Sequence, residues 1–211
     1  MLLCCAVSTP AQTPFKPPEL ISATDVQFPV NSAANGIVVV DVSLDYKGEI
    51  TGISVPRAIA SLTSTATSAI RGWKFSPATV GSTAKSSVVR VAFVFRPRVL
   101  MAAPPIFEPL VQPEGSAAER EPGYFPPGIA AAGYPPYPID AAYAGTVVVQ
   151  AKLNREGKVE DLKAIRAFNP FTRFALDEVK HWRFQPAALD GAPIAANIII
   201  AFVYSLPIVT Y

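Results

Sequence analysis

The chain has 211 residues, of which 50% are hydrophobic, and its 18 basic and 16 acidic side chains leave a net charge of +2. This length suffices for one large domain or two small ones. Charges of both signs are interspersed, with no Lys/Arg run and no basic helix, which argues against a nucleic-acid partner. The 22 prolines are clustered, and such clusters indicate linker segments.

The first eleven residues, Met1–Ala11, are apolar and then small, which is typical of the end of a secretory signal. No positively charged region precedes them, which leaves open that the natural start lies upstream; a frayed terminus and a lipid-modified cysteine are the alternatives. Cys4 and Cys5 are adjacent, so their Cα atoms are poorly placed for a disulfide. No stretch reaches the roughly 18 apolar residues that a membrane-spanning helix needs.

A repeat organises the rest of the chain. A shift of 109 residues aligns Phe28–Phe95 with Tyr137–Tyr204 without a gap, and 19 of the 68 aligned positions are identical, including both tryptophans of the chain. We therefore predict two copies of one module, residues 28–95 and residues 134–205. The remaining segments are predicted to be an extended lead-in (12–27), a proline-rich linker that is not a core element (96–133) and a tail (206–211).

Each copy is predicted to begin with a hairpin. Its first strand, in which apolar and polar residues alternate, covers Gly36–Asp45 or Gly145–Asn154. The turn that follows has Asp45 or Asn154 first and a glycine last, as type I turns do. The second strand starts at Ile50 or Val159, and a step of three between its apolar residues predicts a bulge. We expect these bulges near Thr51–Gly52 and Glu160–Asp161.

A helix and a last strand are predicted next. In copy two, Asn169 is the expected N-cap and Pro170 the first helical residue. The apolar helix face is predicted to comprise Phe171, Phe174, Ala175, Val179 and Trp182 in copy two, and Leu62, Ala66, Ile70 and Trp73 in copy one. The last strand is Ser87–Phe95 or Ala196–Tyr204. The predicted fold class is α+β, with two tandem β-β-α-β modules, each a three-stranded antiparallel sheet with a helix packed on one face, joined by the linker.

The motifs of copy two resemble those of the C-terminal domain of TonB. They are Tyr137-Pro138-x-x-Ala141, Gly145 before a Val-rich strand, Gly157-Lys158-Val159, Trp182-Arg183-Phe184-x-Pro186-Ala187, Gly191-x-Pro193-Ile194 and the final strand with Phe202. Copy one has a degenerate version, with Phe28-Pro29 and Trp73-Lys74-Phe75-Ser76-Pro77-Ala78. The resemblance covers nearly all of residues 134–205.

The resemblance implies a periplasmic, non-enzymatic domain. In the TonB family this domain captures a short extended segment of an outer-membrane transporter as an added strand beside its third strand, and a membrane helix links it to a proton-driven motor. The present chain differs in having a doubled module, no membrane helix and no long charged spacer. Strand addition is the part of the function that carries over, since it needs only an exposed sheet edge.

The candidate partner-binding site is therefore the last strand of copy two. Its residues are Asn197, Ile198, Ile199, Ile200, Ala201, Phe202, Val203 and Tyr204, with Arg183 as a possible grip on partner carboxylates. Apolar residues on both faces indicate either a partner-binding edge or a second face covered by the linker or by copy one. In copy one, Arg90 is typical of a charge that protects an edge. Five residues are predicted to form the structural core: Trp73, Phe75, Trp182, Phe184 and Pro186.

No catalytic, cofactor or metal site is predicted, because the chain has a single histidine, His181, and no nucleophile-elbow or phosphate-loop motif. The expected partner is an outer-membrane transporter or another extended peptide segment, with a homodimer through strand edges as a further possibility and no small-molecule substrate. The alternative function is a structural or dimerising envelope protein without transduction. An enzyme with an unrecognised site is a third hypothesis. The location is predicted to be the periplasm, with a membrane anchor if the natural start lies upstream.

Overall fold

The computed structural model describes residues 15–29, 32, 34–96, 123–137 and 143–205. The predicted signal, Cys4 and Cys5, Pro138, Ala141, the first part of the linker and the tail lie outside these residues. In copy one the elements are β1 (Phe15–Lys16), β2 (Leu20–Ser22), β3 (Gly36–Leu44), β4 (Ile50–Arg57), α1 (Ala60–Ile70), β5 (Lys74–Phe75), β6 (Ala78–Val80), β7 (Thr83–Lys85) and β8 (Ser87–Phe95). In copy two they are β9 (Tyr124–Phe125), β10 (Gly128–Ala131), β11 (Gly145–Leu153), β12 (Val159–Arg166), α2 (Phe171–Val179), β13 (Arg183–Gln185), β14 (Ala187–Leu189), β15 (Ala192–Ile194) and β16 (Ala196–Tyr204).

The fold is α+β with mostly antiparallel pairing. The predicted β-β-α-β order is incomplete, because three short strands intervene between the helix and the last long strand in each copy. The short strands β6 and β7 form a hairpin in copy one, as do β14 and β15 in copy two. The short hairpin carries the chain from the helix back to the sheet.

The two copies share a single six-stranded sheet, in the order β12-β11-β16-β8-β3-β4. Each half is antiparallel, and the halves join where β16 pairs in parallel with β8. Ile199 lies in one core cluster with α1 and Ile200 in the other with α2. Adjacent residues of a strand face opposite sides, so the two helices cover opposite faces of the sheet. The copies are thus related by an approximate two-fold axis along the strands.

The hairpin predictions are confirmed. The Gly48 N–H donates to the Asp45 carbonyl at 3.1 Å, and Gly48 has a φ of 85°. The register skips one residue at Thr51, because Ser43 pairs with Gly52 while Leu44 pairs with Ile50. Copy two repeats the turn and skips Glu160. A second irregularity in each hairpin, further along β4 and β12, was not predicted from the spacing of apolar residues.

The predicted start of α2 is wrong. The helix begins at Phe171 with Pro170 as the N-cap residue, after a cis Asn169–Pro170 bond, and no side chain caps it there. Thr172 supplies the local hydrogen bond instead, accepting from the Phe168 N–H at 2.7 Å. Of the predicted apolar face, Phe174 is only half-buried, and the Arg173 guanidinium lies 4.7 Å from its ring centroid.

The lead-in belongs to the repeat, which sequence comparison of residues 28–95 missed. β1 pairs with β6 and β2 with β5, and at a shift of 109 residues β9 pairs with β14 and β10 with β13. The identities Pro17/Pro126, Pro18/Pro127 and Ala23/Ala132 were the available signal. Phe15 stacks on its own counterpart Tyr124 with ring centroids 5.3 Å apart, as residues near a two-fold axis can.

Residues 123–133, the described end of the linker, form the lead-in of copy two. Each of the two lead-ins covers the back of the other copy's sheet. The Thr146 hydroxyl is bonded to both the N–H and the carbonyl of Val26, at 3.0 and 3.1 Å. Leu20 and Val26 are buried in the cluster that contains Val148 and Ile199 of copy two. On the opposite face Ile129 is buried against residues of both copies. The interpretation of residues 96–133 as lying outside the core is therefore wrong for their described part.

The turn glycines set a stability prediction. At Gly157, which has a φ of 78°, an added Cβ would lie 2.6 Å from the Phe184 carbonyl oxygen. We expect Gly157→Ala to lower the free energy of unfolding by about 1–3 kcal/mol, because it combines left-handed backbone strain with a clash against backbone. The measurement is urea denaturation. Gly52→Ala is the matched control, since its Cβ would meet Ser43 at 3.5 Å, and an equal loss in both variants would contradict the prediction.

Candidate functional site

The predicted partner-binding strand, β16, lies in the middle of the sheet. On one side it pairs with β11 along its whole length, and on the other Ile199–Val203 pair with Val91–Phe95 of β8. The expectation that this strand has an open outer edge is therefore wrong. Copy one supplies a strand of the same apolar character, and the parallel pairing occupies the outer backbone groups of Ile199–Val203 and Val91–Phe95.

Both faces of β16 are covered. This is the alternative in which the linker or copy one covers the strand's second face. Every residue of the strand is buried. Ile198, Ile200, Phe202 and Tyr204 pack in the cluster of α2, whereas Ile199, Ala201 and Val203 pack with α1, β8 and the lead-in. Asn197 is also internal, because its Nδ2 donates to the Pro18 carbonyl at 2.9 Å. These side chains hold the two copies together.

The predicted role of Arg90, in the same region, is also wrong. It was interpreted as a charge that protects an exposed edge, but it is only 6% exposed. Its Nε and Nη2 each lie 2.7 Å from a carboxylate oxygen of Asp41, and its Nη1 donates to the Pro127 carbonyl at 2.9 Å. The bidentate pair with Asp41 orients the guanidinium, and its hydrogen bond to Pro127 holds the described end of the linker against the back of copy one.

The segments that begin with Trp73 and Trp182 lie where the chain leaves each helix. Trp73 and Phe75 are buried in the cluster of α1, and Trp182 and Phe184 are buried in that of α2. Pro186 is half-buried. Arg183, the predicted grip on a partner, is exposed in β13, and its counterpart Lys74 is exposed in β5.

A buried cation lies where β8 and β16 end. The Arg96 N–H donates to the Val203 carbonyl at 3.3 Å, and the guanidinium carbon lies 5.7 Å from the ring centroid of Tyr137. Burial lowers the pKa of Arg96 and raises the pKa of Tyr204. Arginine stays protonated despite such a shift. This arrangement stabilises the junction of the copies by cation–π attraction.

The outer edges of the shared sheet are β4 and β12. Within the described part of the chain no further strand pairs with either of them. A groove of about 490 Å³ lies beside the start of β4. It is lined by Gly48, Glu49, Ile50, Thr51, Gly52, Ile53, Arg71, Trp73, Lys74 and Phe75. β16, the strand that the sequence predicted to have an open edge, is not one of these two outer strands.

Two other features of the described residues bear on function. No group of three or more His, Cys, Asp or Glu side chains is arranged to hold a metal ion among residues 15–29, 34–96, 123–137 and 143–205. In the same residues, neither helix has the length and apolar character needed to cross a membrane.

Comparisons with known proteins agree with the repeat. The family described as "Gram-negative bacterial TonB protein C-terminal" matches twice, over residues 26–97 and 131–206, which together make up most of the chain. No curated protein and no solved structure gave a match. The two matched segments contain both three-stranded halves of the sheet and both helices. The chain therefore belongs to the family of the C-terminal domain of Gram-negative bacterial TonB, and it carries that domain twice in tandem.

Proposed function

We propose that this chain is a non-enzymatic binding module that holds an extended segment of an outer-membrane transporter by main-chain pairing at an outer edge of its sheet. Membership of the family implies a periplasmic location and a link to outer-membrane transport. The observation that supports the proposal is the topology: β4 and β12 are the strands with one described neighbour, whereas β16 has two. A partner can add to an outer edge without displacing any strand of the chain.

Capture at β16 itself would require β8 to leave. That separation would expose two apolar strands and the faces that the lead-ins cover. The cost is large, since each Val or Ile side chain brought into water loses about 1.5–3 kcal/mol. The outer edges need no such opening, so binding there leaves the core intact. Any link to energy transduction would then run through a transporter segment held at an outer edge.

A structural role in the envelope is the second candidate, and the shared sheet favours it. The copies form one core, in which residues of each copy pack with the helix of the other. A scaffold that only spaces other components needs this rigidity and no bound peptide. Dimerisation through the last strands is not part of this candidate, because β16 and β8 already pair with each other.

The test is peptide binding by the whole chain. Labelled peptides from extended, periplasm-facing segments of outer-membrane transporters are titrated with the protein, and fluorescence anisotropy is measured. Saturable binding is expected, with slower amide exchange confined to β4 or β12, because an added strand donates to and accepts from their outer amide and carbonyl groups. Absence of saturation with every segment, or protection in the middle of the sheet instead, would favour the structural role.

A further inference from the structure

The two outer edges differ in charge. β12 carries Glu160, Asp161, Lys163 and Arg166, whereas the only charged residue of β4 is Arg57 at its end. Charged side chains on an edge strand discourage the addition of a foreign strand. Copy two therefore has a protected edge, and the first six residues of β4 in copy one, Ile50 to Val55, carry no such protection.

Two charges of copy two's edge also form ion pairs within the chain. Glu160 lies 3.1 Å from Lys152, and Arg166 lies 3.4 Å from Asp25 of the lead-in. In copy one, Thr51 stands at the position of Glu160 and Arg57 at the position of Arg166. The Arg57 Nε donates to the Ile37 carbonyl at 3.1 Å. The single charge of β4 is thus directed at its own sheet and leaves the start of the strand neutral.

Gly52 adds a steric argument. Its counterpart in copy two is Asp161, and a Cβ added at Gly52 would meet only ordinary van der Waals contacts at 3.5 Å from Ser43. Neither the packing of this chain nor a left-handed backbone therefore requires glycine at position 52. A glycine within a strand is found where another backbone approaches closely, and the groove beside β4 is where such a backbone would lie.

The far wall of the groove carries two exposed cations, Arg71 and Lys74. Within the described residues neither forms an ion pair, whereas Lys180, the counterpart of Arg71, lies 2.7 Å from Asp177. Glu49 is the one acidic residue of the lining, so the groove has two cations against one anion. Ile50, Ile53 and Phe75 add apolar surface to a lining that is otherwise mostly polar.

We infer that copy one binds the partner, with an extended segment lying along Ile50–Val55 of β4 and its carboxylate side chains facing Arg71 and Lys74. The inference rests on the proposed function and specifies its edge and the chemistry of the ligand. In the bound segment, apolar and polar residues alternate, and the apolar ones face Ile50 and Ile53. The segment carries Asp or Glu at the end that enters the groove. Copy two, which retains more of the family's motifs, serves as the partner that closes copy one's inner edge.

The test uses the whole chain and two fluorescent synthetic peptides. One alternates valine and threonine and ends in three glutamates; its twin ends in three lysines. We expect the acidic peptide to bind, and Arg71→Glu with Lys74→Glu to weaken it about tenfold, because two attractions become repulsions at partly exposed sites. The same variant is expected to favour the lysine twin. The matched control, Lys180→Glu with Arg183→Glu in copy two, should leave both affinities unchanged.

An exchange of edge residues tests the strand itself. Thr51→Glu with Gly52→Asp gives β4 the two acidic residues that β12 has at these positions. This variant should abolish binding of the acidic peptide and of transporter segments alike. The reverse exchange, Glu160→Thr with Asp161→Gly, should not reduce binding. Both pairs of residues already occupy the same positions of a folded copy, so thermal unfolding monitored by circular dichroism should change little.

Three outcomes would overturn the inference. If transporter segments bind but only the copy-two variants weaken them, the proposed function stands and the edge is the other one. If the wild-type chain binds neither synthetic peptide nor any transporter segment, the proposed function fails as well. If sedimentation shows a concentration-dependent dimer that Thr51→Glu with Gly52→Asp abolishes, the occupant of the edge is a second copy of this chain.

Discussion

Copy two expressed alone, as residues 123–205 so that β9 and β10 are kept, is expected to self-associate at micromolar concentration, whereas the whole chain is not. Without copy one, β16 loses its parallel neighbour, and Val148, Ile199 and Ala201 lose the residues that cover them. A valine or isoleucine side chain such as Val148 or Ile199 contributes on the order of 1.5–3 kcal/mol through burial, a large part of the 5–15 kcal/mol that usually stabilises a domain. An uncharged edge with apolar residues on both faces also promotes strand pairing between molecules.

Sedimentation velocity of residues 123–205 and of the whole chain measures this effect. Adding residues 15–96 in trans is the control, because that fragment contains β8, α1 and the lead-in and should return copy two to a one-to-one complex. A monomeric copy two with a sharp unfolding transition would contradict the expected result. It would mean that the parallel pair of strands is an accessory contact between two independent domains.

Replacing Arg90 by methionine is expected to lower the free energy of unfolding by about 3–5 kcal/mol, since the Asp41 carboxylate then stays in a nearly buried site without its partner. The side chains of Arg90 and Asp41 are 7% and 14% exposed, so water compensates little for the lost pair. The same change removes the hydrogen bond to Pro127 and so loosens the described end of the linker.

The matched control replaces both partners together. Copy two has Gln150 at the position of Asp41 and Ile199 at the position of Arg90, so Asp41→Gln with Arg90→Ile imports a pair that this fold already accommodates. We expect the double variant to recover most of the stability, because no buried charge is left unpaired. Urea denaturation compares the free energies of unfolding of Arg90→Met, of the double variant and of the wild-type chain. A double variant that is as unstable as Arg90→Met would show that the hydrogen bond to the linker, not the unpaired charge, dominates.

Local structure could be predicted from the sequence because local rules govern it. The strand Gly36–Leu44, the Asp45–Gly48 turn and the register skip at Thr51 follow from alternation, turn chemistry and the spacing of neighbouring apolar residues. The start of α2 was missed because an Asn-Pro signal has two outcomes. The chain used Pro170 as the cap residue and Thr172 for the hydrogen bond, and nothing in the sequence excludes that choice.

Sequence alone also determined the family and the presence of two copies, because the Trp-x-Phe-x-Pro-Ala block and its spacing from the strands recur at a fixed shift. It determined that both faces of Ala196–Tyr204 are apolar and must be covered. Only the tertiary structure decided what covers them: β8 beside the strand, and one lead-in across the back of each copy. Burial of apolar surface is non-directional, so an apolar strand specifies that it will be covered and not by which segment.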